Sequence, residues 1–461
     1  MSSTPGHEEH GTTTSLAAGS AWLLVTQGIA NAGFFLTVLL LARGLDPGER
    51  GTTAFLTLSM LVLGRISMLG IPEATAVRLA RDRSGQATLI ANLVISATVA
   101  GIALSVAAAS IIAATDSSPA GITSSDLLVV CAVVPVATVV YATVVLMVAS
   151  GRTRPGALLN MIHPWVYAAV LAAIVGLSSL NAHRAAIAWG VGMLASLVPA
   201  LYALQRHFRF GRPRLEPYVK ALRFGVWACI SETLKFLNFR LDQLLMGFIT
   251  TEVVLGIYAV AVNASEILLY LPSATAAALL PIVARADTAD QHDRTLRTFR
   301  ILMVITIPGT LVAMAAGVFL IPLLFGSAYE ASVSVFLLLV PGALGYTALT
   351  VFSSSALGSR MPVRSSLGAG TAFVVGIATL LVLVPRYGAD GAALSATVAF
   401  LTGGAVQVLA HHARAPFPLR ALLPGLSDVR DTLSAARRVA GAVLRRGRRV
   451  ENDAPAPPSV G

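Results

Sequence analysis

The sequence has little charge. Charged residues make up 12% of the 461 residues and hydrophobic residues 56%, with a mean hydropathy of +0.77. About a quarter of the residues in a soluble domain are charged, so this composition excludes an ordinary soluble protein. Apolar runs of about 20 residues recur along the chain, and the ten-residue alternation of a membrane β-barrel is absent. The sequence predicts an all-α polytopic membrane protein.

Cysteine and lysine are also scarce. The two cysteines, Cys131 and Cys229, fall within apolar runs and predict no structural disulfide. The only lysines are Lys220 and Lys235, against 31 arginines. A phosphate-cradling Walker loop needs Gly-Lys followed by Ser or Thr, and neither lysine follows a glycine. The chain therefore does not hydrolyse ATP by that device.

Twelve apolar segments are long enough to span a bilayer. They lie near residues 20–42, 52–72, 87–114, 127–149, 156–178, 185–205, 224–250, 253–276, 301–325, 332–356, 364–384 and 391–411. No cleavable signal peptide is predicted, because residues 1–19 contain no Lys or Arg. The predicted organisation is an N-terminal tail at 1–19, six-helix bundles at 20–205 and 224–411, a basic linker at 206–223 and a basic tail at 412–461.

The cations predict the topology. With the N-terminus inside, the inner loops hold seventeen Lys and Arg residues, and the outer loops hold four: Arg43, Arg50, Arg184 and Arg386. This asymmetry places both termini in the cytoplasm by the positive-inside rule. The net charge of +11 follows this distribution and predicts no nucleic-acid partner.

In the tail, an apolar stripe at 429–444 with interspersed arginines predicts an amphipathic helix on anionic inner-leaflet lipids, followed by disorder from Glu451.

A weak internal repeat relates the two predicted bundles. The segments 41–51 and 246–256 follow spans 1 and 7 and lie about 205 residues apart. Each leads into a span with a helix-breaking proline at its end, Pro72 or Pro272. Six spans per repeat make the two bundles parallel and place a substrate site between them. Chance similarity between apolar segments is the alternative.

Span 7 is apolar but carries four ionisable residues, Glu232, Lys235, Arg240 and Asp242. Each costs about 2.5–3.5 kcal/mol to insert at a bilayer centre, so such groups normally face a protein interior or a wet pathway. At 100° per residue, Glu232, Lys235, Asn238 and Asp242 fall in one sector and Arg240 points elsewhere. The segment predicts a transporter whose pathway is lined in part by this helix.

Five segments carry a family resemblance. They are Leu-Leu-Ala-Arg-Gly-Leu-Asp-Pro-Gly-Glu-Arg-Gly at 40–51, Gly-Ile-Pro-Glu-Ala-Thr-Ala-Val-Arg-Leu-Ala at 70–80, Phe-Arg-Leu-Asp-Gln-Leu-Leu-Met-Gly at 239–247, Leu-Phe-Gly-Ser-Ala-Tyr at 324–329 and Pro-Arg-Tyr-Gly-Ala-Asp-Gly-Ala-Ala at 385–393. In this order they resemble the polysaccharide transport branch, with its O-antigen-type flippases, of the multidrug/oligosaccharidyl-lipid/polysaccharide (MOP) exporter superfamily. The resemblance implies two six-helix bundles around a cavity that opens alternately to either side, and a lipid-linked oligosaccharide on a polyprenyl diphosphate as cargo.

Such a cargo defines the candidate site. Cations in the spans would meet the diphosphate, and side-chain amides would meet the sugars. The predicted substrate-binding residues are Arg65, Lys235, Arg240, Gln27, Asn31 and Asn263. The predicted ion-coupling residues are Glu232, Asp242 and Glu266, with H⁺ or Na⁺ as the coupling ion. If spans 2, 7 and 8 adjoin, Arg65, Glu232 and Glu266 are expected near one plane. The alternative is that the six charges in the spans form three structural ion pairs. No catalytic residue, metal site or other cofactor is predicted.

Three other functions stay open. A multidrug or small-molecule antiporter shares the architecture, so fold alone does not separate it from a flippase. Lipid II flippases commonly have two further helices, which are not found here. A polytopic glycosyltransferase needs a large extramembrane loop, whereas the longest outer loop, 115–126, has about a dozen residues. The interpretation favoured is a non-enzymatic flippase in the cell membrane that works beside glycosyltransferases or a polysaccharide polymerase.

Overall fold

The computed structural model describes residues 8–68, 86–114, 121–214 and 236–434, together with Pro72 and Thr75. Within these residues all regular structure is helical. The α-helices, in chain order, are α1 (Glu8–Gly44), α2 (Pro47–Ser67), α3 (Gln86–Ala114), α4 (Ser124–Ala149), α5 (Thr153–Leu177), α6 (Ala182–His207), α7 (Leu241–Ile249), α8 (Glu252–Ser265), α9 (Tyr270–Arg285), α10 (Thr288–Phe325), α11 (Ser332–Leu339), α12 (Gly342–Gly358) and α13 (Pro362–His412). Short 3₁₀ helices lie at Glu266–Leu269, Ser327–Tyr329 and Leu419–Leu422.

The helices are built to contact lipid. Nine helical stretches of the described residues are long and apolar enough to cross a membrane. Large apolar side chains on their surfaces are exposed, such as Leu177 (87%), Val198 (71%) and Phe319 (76%). Such a surface is unfavourable in water and suits hydrocarbon, because each helix satisfies its own backbone hydrogen bonds. The chain is an all-α, multi-pass membrane protein, as predicted.

The fifty-one-residue stretch α13 is a helical hairpin. Its chain reverses at Gly388, which has φ 56° and ψ −128°, a conformation that only glycine adopts readily. The two limbs approach closely, since a methyl group on Gly368 would lie 2.5 Å from the carbonyl oxygen of Gly403. Gln407 joins them further, accepting from the N–H of Gly368 (2.9 Å) and donating to the carbonyl oxygen of Arg364 (3.0 Å). The limbs correspond to the predicted spans 364–384 and 391–411.

The seventh span is interrupted. The prediction of one continuous helix over 224–250 is wrong at 238–240, which form a turn before α7 begins at Leu241. The N–H groups of Phe239 and Arg240 bond to carbonyls only three residues back (both 3.1 Å). The carboxylate of Asp242 accepts from the N–H of Gln243 (2.8 Å), which stabilises a new helix start. Asn238 and Asp242 do not belong to one continuous helix, so the prediction that they lie on the same helical face is wrong.

The chain forms two compact units. The first comprises 1–264, 317–339 and 373–396, and the second comprises 265–316, 340–372 and 397–461. Within the first unit, one apolar core contains Leu93, Leu146, Met147 and Leu204. Within the second unit, Val283, Leu302, Val351 and Phe352 are buried together. The predicted boundaries of 20–205 and 224–411 stay a prediction.

The repeated segments 41–51 and 246–256 have the same local structure. In the first, the N–H of Leu45 bonds to the carbonyl of Leu41 (3.0 Å), and in the second the N–H of Thr250 bonds to that of Met246 (2.8 Å). The next residue caps the following helix in each case. Asp46 Oδ1 accepts from the N–H of Glu49 (3.0 Å), and Thr251 Oγ1 accepts from the N–H of Val254 (3.5 Å). All of these positions are related by 205 residues.

Candidate functional site

Seven of the nine predicted site residues lie within the described part of the chain. Glu232 and Lys235 lie outside it, so their roles and the predicted meeting of Arg65, Glu232 and Glu266 stay predictions. Gln27 is exposed, and the other six are half-buried: Asn31, Arg65, Arg240, Asp242, Asn263 and Glu266. A half-buried side chain on an apolar helix can contact a neighbouring helix and still reach a ligand, because part of its surface is accessible.

Asp242 is held by a phenol on the next helix. Its Oδ2 accepts a hydrogen bond from the hydroxyl of Tyr258 on α8 at 2.5 Å, and its Oδ1 bonds to the N–H of Gln243. Tyr258 is completely buried. Hydrogen bonds from a buried phenol and a backbone N–H stabilise a carboxylate and fix its orientation. The arrangement places an oriented anion at the start of α7.

The two described cations have different surroundings. Arg65 is in the last turn of α2 and interacts electrostatically with Tyr141 on α4. Arg240 is the residue before α7, and its guanidinium lies 3.4 Å from the carbonyl oxygen of Phe239. A guanidinium keeps its charge at every working pH and presents several donors to an oxyanion. Both residues can therefore serve as anion ligands.

The predicted amides bond first to their own helices. Gln27 Nε2 donates to Asn31 Oδ1 at 2.9 Å, one turn along α1. Asn263 Nδ2 donates to the carbonyl oxygen of Ala259 at 2.7 Å. In Asn263, the side-chain oxygen is thus the atom suited to accept from a sugar hydroxyl.

Glu266 stands where the eighth span changes geometry. It begins the 3₁₀ turn Glu266–Leu269 between α8 and α9, within a stretch of 34 residues long enough to cross the membrane. Pro272 follows and cannot donate a backbone hydrogen bond, which explains the irregular turn. In the same unit, Ser273 and Tyr346 hydroxyls lie 2.9 Å apart, and Tyr346 interacts electrostatically with Glu266. The carboxylate is accompanied by hydroxyls that sequence alone did not assign to it.

The helix α2 lies against both α7 and α8. A methyl group on Gly51 of α2 would overlap the carbonyl oxygen of Glu252, and one on Gly256 of α8 would overlap that of Pro47. A methyl group on Gly247 of α7 would likewise overlap the ring of Phe55 on α2. We call the four residues Pro47, Gly51, Glu252 and Gly256 the glycine clasp. It brings two segments that carry the repeat into backbone contact.

The loops beside the glycine clasp are joined by side-chain hydrogen bonds. Arg43 donates from Nε to the carbonyl oxygen of Leu324 (2.7 Å) and from a terminal nitrogen to that of Leu323 (2.6 Å). In the opposite direction, the hydroxyl of Tyr329 donates to the carbonyl oxygen of Leu45 (2.9 Å). The family-like segments 40–51 and 324–329 are therefore in direct contact.

The residues that sequence analysis missed are the phenols. Tyr141, Tyr258 and Tyr346 each lie beside a predicted charged residue but on another helix. Only Tyr329 carried a signal, since it ends one of the five family-like segments. Helical periodicity relates residues of one helix and is silent about partners across helices.

Comparison with known proteins places this fold among transporters. The structure is similar to that of "Lipid II flippase MurJ, inward closed conformation", with a TM-score of 0.73 at 12% identity over 89% of this chain and 90% of that one. It is also similar to an inward-facing MATE family transporter of the MOP superfamily (TM-score 0.67, 14% identity, 85% and 98% of the two chains). A variant of the Vibrio cholerae MATE transporter VcmN gives 0.56 at 15% identity over 88% and 99%. The fold is that of these proteins, the second of which belongs to the MOP superfamily.

The family follows from the sequence itself. Residues 40–334, more than half of the chain, match the family described as "Polysaccharide biosynthesis protein". The chain belongs to this family, and the predicted MOP resemblance is confirmed. No curated protein sequence matches the chain. The chain thus combines membership of a polysaccharide biosynthesis family with a fold that it shares with MurJ and the MATE transporters.

Proposed function

We propose that this protein moves a lipid-linked oligosaccharide, a glycan on a polyprenyl diphosphate, from the inner to the outer leaflet of the cell membrane by alternating access. The observation that carries the proposal is the match of residues 40–334 to a polysaccharide biosynthesis family in a chain with a transporter fold. A transporter in glycan synthesis has to move a glycan or its lipid-linked precursor. Both termini are then cytoplasmic, and glycosyltransferases and a polymerase are its working partners.

In this proposal the cargo's diphosphate meets cations in the spans. Arg65, at the inner end of α2 in the predicted topology, and Arg240, before α7, contribute guanidinium groups suited to bidentate phosphate contacts. Lys235 adds a third cation. The amides of Gln27, Asn31 and Asn263 contact the sugars, while the apolar polyprenyl tail stays in the bilayer.

The energy source in this proposal is an ion. Asp242, with Glu232 and Glu266, exchanges a protein partner for H⁺ or Na⁺ during the cycle. The hydrogen bond between Asp242 and Tyr258 supports this role, because it joins α7 to α8. If H⁺ or Na⁺ binds the carboxylate and this bond breaks, the packing of the two helices changes with ion binding. Transport then responds to the ion gradient, with no nucleotide.

The experiment is a deletion strain complemented with the wild-type chain or with Arg65→Gln. Lipid-linked glycan is quantified on each leaflet of the cell membrane. Accumulation on the inner leaflet, reversed only by the wild type, is expected. Drug hypersensitivity with normal glycan would replace the proposal by a multidrug antiporter, and accumulation of peptidoglycan precursor would replace it by a lipid II flippase.

A further inference from the structure

Arg50 is a charged residue enclosed in the protein. It lies in the first turn of α2 and is only 4% exposed. Its Nε has no hydrogen-bond partner in the part of the chain that the structure describes. A guanidinium stays protonated in proteins. Enclosing that charge without compensation is strongly unfavourable, so this position requires an explanation.

The two carboxylates closest to Arg50 in the chain, those of Asp46 and Glu49, bond to backbone N–H groups. Asp46 Oδ1 accepts from the N–H of Glu49, and Glu49 Oε2 accepts from the N–H of Ala182 on α6 (2.5 Å). Arg50 interacts electrostatically with two phenols, Tyr167 and Tyr329. The start of a helix also carries partial positive charge, which adds to that of the guanidinium.

Further unpaired polar atoms lie in the same interior. The hydroxyl of Tyr167 and Nε2 of His163, both buried on α5, lack hydrogen-bond partners among the described residues. Their rings are stacked with centroids 5.9 Å apart. The hydroxyl of Tyr329, by contrast, already donates to Leu45. Arg50 Nε–H and the Tyr167 O–H are thus two donors without an acceptor among the residues described.

We propose that a small monovalent anion of chloride size binds between α2 and α5, held by Arg50 Nε and the Tyr167 hydroxyl. Such an anion accepts from both donors and compensates the enclosed charge. A water molecule alone satisfies the donors and leaves the charge uncompensated, which is why an anion fits better. The bound anion ties the first turn of α2, beside the glycine clasp, to α5. This site is independent of the lipid-linked cargo.

The test is the melting temperature of the full-length protein in detergent, measured in sodium chloride, bromide and gluconate at equal ionic strength. Gluconate is too large for an enclosed site. We expect the wild type to melt about 2 °C or more higher in chloride and bromide than in gluconate. Arg50→Met should abolish this difference. The matched control, Arg43→Met, removes a cation that already has carbonyl partners and should keep the full anion response.

A second variant protects the test against misfolding of Arg50→Met. Tyr167→Phe removes one donor atom and should raise the chloride concentration for half-maximal stabilisation about tenfold. Equal melting of the wild type in all three salts would mean internal water only and overturn the proposal. A full anion response in Arg50→Met, or an unchanged half-maximal concentration in Tyr167→Phe, would place the anion elsewhere and overturn it as well.

Discussion

Gly51 on α2 and Gly256 on α8 are equivalent positions of the internal repeat, and each lies against the backbone of the other's helix. Gly51 faces the carbonyl of Glu252, the repeat equivalent of Pro47, and Gly256 faces the carbonyl of Pro47 itself. The contact is reciprocal, as at a two-fold interface between identical subunits. The weak sequence repeat therefore has a structural counterpart, since each copy supplies one half of the same contact.

Replacing either glycine of the clasp should destabilise the protein. A methyl group at Gly51 or Gly256 overlaps a backbone carbonyl, which cannot rotate away as a side chain would. We expect Gly51→Ala and Gly256→Ala each to cost about 1–3 kcal/mol, measured by thermal or denaturant unfolding. The control is Gly28→Ala on α1, where a methyl group meets nothing within 4 Å. That variant should be neutral or slightly stabilising because alanine favours helix. Equal stability of the three variants would contradict the clasp.

The pair Asp242 and Tyr258 separates a coupling role from a structural one. Tyr258→Phe removes one hydrogen bond to a carboxylate and should cost about 1.5–3 kcal/mol of stability. Asp242→Asn keeps one side-chain oxygen, which can accept from the N–H of Gln243, and places an amide NH₂ where the second oxygen accepted from Tyr258. That NH₂ can donate to the Tyr258 hydroxyl, so the contact can persist while the charge is lost. If Asp242 couples transport to an ion, we expect Asp242→Asn to fold and to lose ion-dependent transport in proteoliposomes. Ion-dependent transport at the wild-type rate in Asp242→Asn would leave only the structural role.

The guanidinium of Arg65 is expected to be essential for moving a diphosphate. Arg65→Gln should abolish transport while the protein stays in the membrane at wild-type amounts, checked by immunoblot of membrane fractions. Arg65→Lys keeps the charge and loses the fork, so it should retain a reduced rate. Tyr141→Phe is the control, because it alters the neighbouring phenol and leaves the cation in place. Normal transport by Arg65→Gln would rule out this phosphate contact.

Hydropathy predicted the spans because insertion of a helix into lipid depends on the composition of that helix alone. Hydropathy did not predict the features that depend on specific hydrogen bonds and on contacts between helices. The break before Leu241 depends on local hydrogen bonds around Asp242, and the Tyr258 partner comes from another helix. The hydropathy pattern begins the second span at residue 52 and so places Arg50 in an outer loop, yet the structure buries it near the start of α2. The spans were thus accessible from sequence, whereas the hydrogen-bond partners of the candidate residues were not.

The hydrogen bonds between the segments 40–51 and 324–329 should contribute jointly to stability. Arg43→Gln removes the cation from the C-terminal carbonyls of α10, and Tyr329→Phe removes the bond to Leu45. Each should cost about 1–2 kcal/mol. Because both join the same two segments, the double variant should cost less than the sum of the two in a double-mutant cycle. Strict additivity would show that the two contacts act independently.

The same phenol predicts an alkaline limit for this contact. Burial raises the pKa of Tyr329 from its ordinary value of 10.0 to about 12. The contribution of its hydroxyl to stability is therefore fully present below about pH 10 and is lost as the pH rises through 12. The wild type should lose more stability than Tyr329→Phe between these pH values, measured by denaturant unfolding. Parallel loss in both proteins would show that other groups set the alkaline limit.

The reversal in α13 depends on the backbone conformation of Gly388. Its backbone conformation costs an alanine about 1–3 kcal/mol, although the space there is adequate, since a methyl group on Gly388 would lie 3.5 Å from its nearest neighbour, Val254. We expect Gly388→Ala to lose that stability in thermal unfolding and Gly388→Asn to lose a comparable amount, because a ψ of −128° lies outside the left-handed α region that asparagine tolerates. Gly370→Ala lies in the same hairpin with open space around it and should be neutral or stabilising. A Gly388→Ala protein as stable as Gly370→Ala would mean that the chain turns there by another backbone conformation.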